Sequence, residues 1–409
     1  MMFFAQFLKN LVVEVDLTYI DHRGRIHHFG QGQVKGIEPV SVRLTDGAYD
    51  ARLGLRPLLA AGEAYMDGAL VIEQGTLFDF LALAMHNITG RHRSKLLEFT
   101  QFFDFIGRWL QQYNPLSQAR RNASHHYDIS LAVYDLFLDP DRQYSCAYFE
   151  RGDMTLEEAQ LAKKRHIIAK LALEPGMKVL DIGCGWGGLA LTLAREAKVD
   201  VTGITLSEQQ LLEARKRAQA QRADNVRFEL VDYREVEGKF DRVVSVGMFE
   251  HVGIAHFETF FQSVRDRLTD DGVALIHFIC RADGPSTTNP WIRKYIFPGG
   301  YSPALSEVIP SIEKSGLIVT DIEMLRLHYA KTLREWRRRF MANRAKAAER
   351  YDERFCRMWE FYLTGSEVAF RFQRHMVTQI QLAKTVDSLP LTRDYMMEEQ
   401  LPLYRQQAE

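Results

Sequence analysis

A doubly wound, Rossmann-like α/β sheet with a smaller α+β domain at the N-terminus is the fold this chain predicts. Three observations lead there. From Lys178 onward, short apolar β-rich runs alternate with helical patterns. The first of those runs ends in a glycine-dense turn that opens a helix. Residues 1 to about 90 carry their own mixture of strand and helix signals.

In the N-terminal part, Leu11 to Ile20 is β-rich, and Asp21-His22-Arg23-Gly24 makes a hairpin turn before Ile26 to Phe29. Val40 to Leu44 is a further strand candidate. Helical patterns run through Leu55 to Ala61 and Leu77 to His86. Ser94 to Tyr113 reads as a helix with a broad apolar face, formed by Leu97, Phe102, Phe105, Ile106, Trp109 and Leu110, and Pro115 ends it. Such a face packs on a second domain or on lipid. The predicted division is a domain at 1–115 with a lipid or dimer role, a linker at about 114–124, and a catalytic domain at 116–409.

In the second part the strand candidates are Lys178–Asp181, Asp200–Ile204, Val226–Leu230, Arg242–Val246, Gly272–Phe278 and Leu317–Ile322, with Val377–Leu382 as a late strand closing the sheet. Helices such as Glu208–Gln221 and Phe257–Leu268 intervene. An insertion from Arg281 to Tyr301 leaves the carboxyl end of the fifth strand, where a substrate lid is expected.

With 409 residues, 46% of them hydrophobic, the chain is long enough for one large core and a smaller one. A net charge of −1 gives no global attraction to nucleic acid. Cys146, Cys184, Cys280 and Cys356 are far apart, which fits neither a zinc signature nor a disulfide framework. No apolar run reaches membrane-spanning length, and Lys9 interrupts the N-terminus too early for a signal-peptide core. A cytoplasmic protein is expected, with peripheral membrane contact allowed.

The glycine turn is Asp181-Ile182-Gly183-Cys184-Gly185-Trp186-Gly187-Gly188. Glycines let a ligand approach the backbone, and the helix start favours an electron-rich group. Gly183, Gly185 and Gly188 also satisfy the dinucleotide pattern G-x-G-x-x-G, a weak signal alone. Two details favour S-adenosylmethionine (SAM) over a nicotinamide cofactor. Asp181 at the strand end can meet a ligand's ammonium group, and the next strand ends in Thr205-Leu206-Ser207, with no acid for a ribose diol. Other polar residues fall at strand ends: Glu250-His251 after the fourth, His277 at the end of the fifth and Tyr329 after the sixth, with Tyr144 to Phe149 upstream. Each taken singly reads equally well as packing or as a satisfied core group.

Together the stretches HYDI at His126, YSCAYF at Tyr144, VLDIGCGWGG at Val179, ITLSEQQ at Ile204, FEHVG at Phe249, YIFPGG at Tyr295 and LHYAKTL at Leu327 resemble the cyclopropane-fatty-acyl-phospholipid synthases and their mycolic acid relatives. GEAYMDG at Gly62 resembles that family's N-terminal domain. The resemblance implies a class I SAM-dependent methyltransferase sheet. It also implies transfer of a methyl group to a cis double bond in a phospholipid acyl chain, followed by ring closure.

The resemblance further implies that Tyr144 and Ser145 line the SAM pocket, with Asp181, Gly183, Gly185 and Gly187 around the methionine portion. Thr205, Ser207 and Gln210 hold the ribose side, and Asp232 and Tyr233 flank the adenine. A bicarbonate ion is implied as a second cofactor, held by Cys146, Glu250, His277, Ile279 and Tyr329, with Cys146 and Ile279 contributing backbone N–H groups. The chain departs from the pattern at Ile129-Ser130-Leu131, where a glycine and an asparagine are usual. Cys356 lies near a family cysteine once regarded as catalytic, although this chemistry needs no thiol. Implied partners are an unsaturated phospholipid and the inner membrane face; a homodimer is compatible. The alternatives are methyl branching of the acyl chain, a non-catalytic SAM-binding protein and, more distantly, an NAD-dependent dehydrogenase.

Overall fold

The structure is a computed structural model that describes residues 2–89 and 131–398. The apolar helix expected at Ser94–Tyr113, the linker, and the HYDI stretch through Ser130 lie outside the described residues. The described residues group into two compact units. The first contains 2–89, Thr287–Pro298 and Ala330–His375; the second contains 131–286, Gly299–Tyr329 and 376–398. One cut near residue 115 therefore does not describe the division. Two later segments, which that cut assigns to the catalytic domain, group with the N-terminal residues.

In the first unit, β1 (Leu17–Ile20), β2 (Ile26–Phe29), β3 (Val40–Leu44) and β4 (Leu70–Gln74) form a sheet in the order β2-β1-β3-β4. The Asp21 turn forms as expected. Its Oδ1 accepts the N–H groups of Arg23 and Arg25 at 2.8 and 3.0 Å, and β1 pairs antiparallel with β2. Val40, Val42 and Leu44 alternate inward onto Phe4, Leu8 and Leu83. Two elements were not anticipated. Phe3–Leu11 is a helix, buried through Phe4, Phe7, Leu8 and Leu11 and held at its start by Asp50, which accepts the N–H groups of Phe3 and Phe4. β4 completes the sheet antiparallel to β3. The helical pattern at Leu55 resolves into two helices, Ala48–Leu55 and Pro57–Met66, because Arg56 precedes a proline and leaves the helical region.

The GEAYMDG stretch acts here by packing. A Cβ on Gly62 would lie inside contact distance of the Trp291 indole. Glu63 is buried and accepts from Lys294 Nζ at 2.7 Å and the Tyr295 hydroxyl at 2.9 Å, with Arg52 as a third partner. Its carboxyl is lowered by these partners against the opposing effect of burial. The middle of the expected lid thus carries a short helix, Pro290–Tyr295, capped by Asn289 and fixed to the N-terminal unit.

The second unit is built on β5 (Lys178–Ile182), β6 (Asp200–Thr205), β7 (Val226–Leu230), β8 (Phe240–Val246), β9 (Leu268–Arg281), β10 (Ile318–Met324) and β11 (His375–Ala383). Their order is β10-β11-β9-β8-β5-β6-β7. β5 pairs in parallel with β6 and β8, β6 with β7, and β8 with β9; β11 runs antiparallel to β10. The doubly wound sheet and its closing strand match the sequence prediction.

Side chains of opposite parity leave the two faces. Leu180, Ile182, Val243, Ala274 and Ile276 pack with the helices Phe257–Arg267 and Leu305–Ser315. Val179, Val244 and Leu275 pack with Leu156–Lys170 and Gly188–Ala197 on the other face. Leu156–Lys170 is announced by a capping box: Thr155 Oγ1 accepts from Glu158 N–H at 3.2 Å while Glu158 accepts from Thr155 N–H at 2.7 Å.

Gly62→Ala is expected to push the Trp291 indole from its seat and cost about 1–3 kcal/mol. Urea unfolding followed by tryptophan fluorescence measures this, and an unchanged midpoint would show that the indole is free to move.

Candidate active site at the switch point of the sheet

The chain runs from β5 outward to β6 and β7, then returns to place β8 on the opposite side of β5. The carboxyl ends of β5 and β8 therefore flank the crevice where an open α/β sheet binds its ligand. The glycine turn leaves β5 at that point.

Two of its glycines have different jobs. Gly187 has φ +80°, and a Cβ there would stand 2.6 Å from Phe228 Cζ, so its absence is a packing requirement. Gly185 has φ +55°, yet a Cβ there would meet nothing within 4 Å. That backbone faces open space. Gly183 is also packed, against Met248.

Asp181, at the end of β5, is buried, and its Oδ2 has no hydrogen-bond partner among the described residues. Burial raises its carboxyl to about 7, and the Lys163 charge opposes that rise. An orphaned buried carboxylate beside an open backbone cradle suits a ligand that brings an ammonium group to the first and close contact to the second. SAM has both features.

The other predicted cofactor residues are distributed as follows. Tyr144 lies in an aromatic group with Tyr134 and Phe137, and Tyr134 also touches Trp186. Ser145 Oγ accepts from Lys163 Nζ at 2.7 Å. Thr205, Ser207 and Gln210 form one buried cluster at the end of β6. Thr205 Oγ1 donates to Gln210 Oε1 at 2.8 Å, and Ser207 Oγ caps the helix Glu208–Gln221 through Gln210 N–H. Asp232, just past β7, is bound by the Arg234 guanidinium at 2.7 and 2.8 Å. The Tyr233 ring packs edge-on against Phe260, 5.2 Å between centroids. The last two side chains thus have structural partners of their own.

Glu250 follows β8 in a short 3-10 turn and is buried. Its Oε1 accepts the Ile279 N–H at 2.7 Å, its Oε2 has no partner among the described residues, and burial raises the carboxyl to about 7. This corrects one expectation. The Ile279 N–H, expected to face an anion directly, is taken by Glu250. His277, at the end of β9, is buried, and burial together with the Lys163 and Lys170 charges lowers it to about 3. It is neutral at physiological pH. Gln379 Nε2 lies 3.2 Å from its Nδ1; with that amide donating, Nδ1 accepts and the ring proton sits on Nε2.

Cys146 is buried and its thiol donates to the Ala147 carbonyl. Tyr329 is half-buried at the start of the helix His328–Ala342. Cys356 belongs to the other unit, buried in the helix Glu353–Phe372, where burial raises its thiol. It has no thiolate character and stays outside the chemistry.

Sequence reasoning missed Lys163, Gln379 and the segment 139–143. Lys163 is fully buried on Leu156–Lys170 and donates to Gln143 Oε1 at 2.8 Å. The signal was available: Lys163 recurs with Ala159, Ile167 and Lys170 on the buried face of a capped helix, where a lysine is out of place.

The mycolic acid cyclopropane synthetase family matches residues 115–380. The cyclopropane-fatty-acyl-phospholipid synthase of Escherichia coli K12 is 35% identical over 357 residues, covering 87% of this chain and 91% of its own. A probable fatty acid methyltransferase of Pseudomonas putida is 42% identical over 67% of this chain and 72% of its own. Among solved structures, the mycolic acid cyclopropane synthase CmaA1 complexed with SAH and CTAB superposes with a TM-score of 0.61 at 35% identity, over 66% of this chain and 99% of that one. Coclaurine N-methyltransferase, at 20% identity, 79% of this chain and 97% of its own, and a TM-score of 0.60, shares the fold.

One consequence of the buried carboxyl can be measured without substrate. Folding raises the Glu250 carboxyl, so the folded chain holds a proton that the unfolded chain releases above about pH 4.5. Its favourable contribution is complete below that pH and is lost as pH climbs through about 7. Glu250→Gln keeps an acceptor for Ile279 and removes the titration. The variant is expected to gain stability over wild type as pH rises from 5 to 8, on the order of 2 kcal/mol, in urea titrations at the two pH values. An equal difference at both would show that Glu250 ionises freely.

From the glycine cradle, the two poised carboxyls and these matches, the chain belongs to the mycolic acid cyclopropane synthetase family and is an enzyme of the SAM-dependent methyltransferase class.

Proposed function

We propose that this enzyme cyclopropanates a cis double bond in a phospholipid acyl chain, using SAM and a bound bicarbonate. The observation that carries the reading is Glu250: a buried carboxyl at the end of β8, one oxygen fixed by Ile279 N–H and the other unpartnered, held near neutrality. A binding module has no use for such a group.

SAM, when bound, supplies an electrophilic methyl group. The alkene is a weak nucleophile, and methylation leaves a cation that closes a ring only by losing a proton. Water must be excluded, or it captures the cation as an alcohol. The chain's buried residues serve that end. Cys146 and Phe149 are buried at the YSCAYF stretch, and Tyr148 is a neutral ring stacked between His166 and His328 at 4.2 and 5.0 Å. Aromatic faces also steady a cation.

Bicarbonate, when bound, supplies a small base. The residues fit it in part: His277 offers an Nε2–H donor, and the free Glu250 oxygen either accepts the ion's proton or, protonated, donates to it. The Ile279 N–H is available only if Glu250 releases it. Asp181 would receive the ammonium of the bound cofactor, and Ser145 is held by the Lys163 ammonium.

Methyl branching is the second reading, favoured by the name of the Pseudomonas putida relative; the same cation then loses a different proton. Access to lipid is proposed through peripheral contact with a membrane. No helix among the described residues is long and apolar enough to cross one. The basic run Arg337-Arg338-Arg339 is a candidate contact and is partly neutralised: Arg337 shares Glu367 with Arg371, and Arg338 and Arg339 share Glu335.

Lipid mass spectrometry of a host expressing the chain tests the function. Acyl chains one methylene heavier that resist hydrogenation are expected; hydrogenation-sensitive products would select branching, and unchanged lipids would refute both. Glu250→Gln should keep SAM affinity while losing about 10²–10⁴ in turnover, with partial recovery on added bicarbonate. Full activity in carbonate-free buffer would assign the base elsewhere.

The cradle gives a paired test. Gly185→Ala meets open space and should fold with a strain cost of about 1–2 kcal/mol while losing SAM affinity by calorimetry. Gly187→Ala should fail to fold well. Undiminished affinity in Gly185→Ala would move the ligand away from the turn.

A further inference from the structure

Lys163 is a fully buried cation near the cofactor end of the sheet that the proposed reaction does not use. Its ammonium donates to Gln143 Oε1 at 2.8 Å and Ser145 Oγ at 2.7 Å, both neutral groups. Among the described residues no carboxylate hydrogen-bonds to it. A buried ammonium whose hydrogen bonds go to neutral oxygens, with the Asp139 and Asp141 carboxylates near but not bonded to it, acts on whatever else lies near.

The segment carrying Gln143 and Ser145 is itself fixed. Asp139 accepts the N–H groups of Asp141 and Gln143, and Asp141 receives Lys164 at 2.6 Å and Arg217. The helix start at Gly188 closes on the same place, where a Cβ would stand 2.5 Å from Gln143 Nε2 and 2.6 Å from Asp141 Oδ2. Lys163 is thereby locked between this segment and the sheet. Asp181 lies on the same sheet face as Val179, the face covered by Leu156–Lys170.

We propose that Lys163 is a positioning residue of the cofactor site, whose buried ammonium holds Ser145 in place and supplies the positive charge opposite which the Asp181 carboxylate is kept for the cofactor's ammonium. The proposal rests on the reading that the glycine turn binds SAM. The titratable groups that act on Asp181 are Lys163, from the helix, and Cys184, from the turn; burial keeps the Cys184 thiol protonated. Lys163 in turn faces Asp139, Asp141, Lys164 and Cys146, and burial lowers its ammonium to about 8. With Asp181 near 7, the two are oppositely charged in the window between.

Calorimetry with S-adenosylhomocysteine, a stable probe, tests this across about pH 6 to 9. Wild-type affinity is expected to fall as pH drops through about 7, where Asp181 takes up its proton. In Lys163→Met the same fall should occur about one unit higher, making binding roughly fivefold weaker near neutrality from this cause alone. The probe's own amino group titrates identically in both proteins, so the difference reports the site. Lys163→Arg should return the midpoint toward wild type. Ser145→Ala removes the hydrogen bond but keeps the charge, and should weaken binding equally at every pH.

If Lys163→Met does not fold, Lys163→Gln replaces it, retaining a polar contact without charge. A wild-type protein that fails to bind at any pH overturns the cofactor reading itself. Wild-type binding with an unmoved midpoint in the neutral variant overturns only the role of Lys163. If only the Arg variant folds, the charge is a structural need and the positioning role falls.

Discussion

The second unit depends on burying a helix face that carries three cationic or protonatable side chains. Lys163, His166 and Lys170 lie at intervals of three and four residues on Leu156–Lys170, all below 9% exposure, against the sheet. Burying such groups is costly unless each finds partners. Lys170 finds Asp321 at 3.2 Å and Glu323 at 2.6 Å, and His166 finds Glu323 at 2.6 Å. These contacts hold Glu323 at about 2, so β10 presents a true carboxylate throughout the neutral range. Gln381 adds an amide bond to the Lys170 carbonyl. Breaking any one member strands a buried charge, so the helix has a single register on the sheet.

That register decides the chemistry at the other end of the same face. Once Lys170 is pinned over β10, Lys163 is carried to the carboxyl ends of β5 and β9, toward Asp181 and His277. The polar interior is therefore graded. Near β10 every charge is paired; near the switch point Asp181 and Glu250 each keep an oxygen without a partner. Unpaired buried carboxyls destabilise a fold, and their place at the crevice is where a ligand compensates them.

Much of this was legible in the sequence. The parallel strands announced themselves because strands buried on both faces read as continuous apolar runs. Gly185, Asp181 and Glu250 stand out as candidates because glycines and acids at strand ends are chemically conspicuous. The helix Phe3–Leu11 escaped because its anchor, Asp50, lies far along the chain and no local cap marks it. Lys163 escaped for the converse reason: its meaning comes from the neutral oxygens of Gln143 and Ser145, which only folding brings to it. The binding of Ile279 N–H by Glu250 is likewise a tertiary contact that no spacing reveals.

The division into units has the same origin. A boundary drawn from composition falls where the chain turns polar, but contacts ignore sequence order. Trp291 needs a residue without a Cβ beneath it, and Gly62 provides that; Lys294 and Tyr295 need a buried acid, and Glu63 provides that. Two stretches more than two hundred residues apart are thus interlocked within one unit. The insertion that leaves β9 consequently spends Thr287–Pro298 in the N-terminal unit before returning at Gly299.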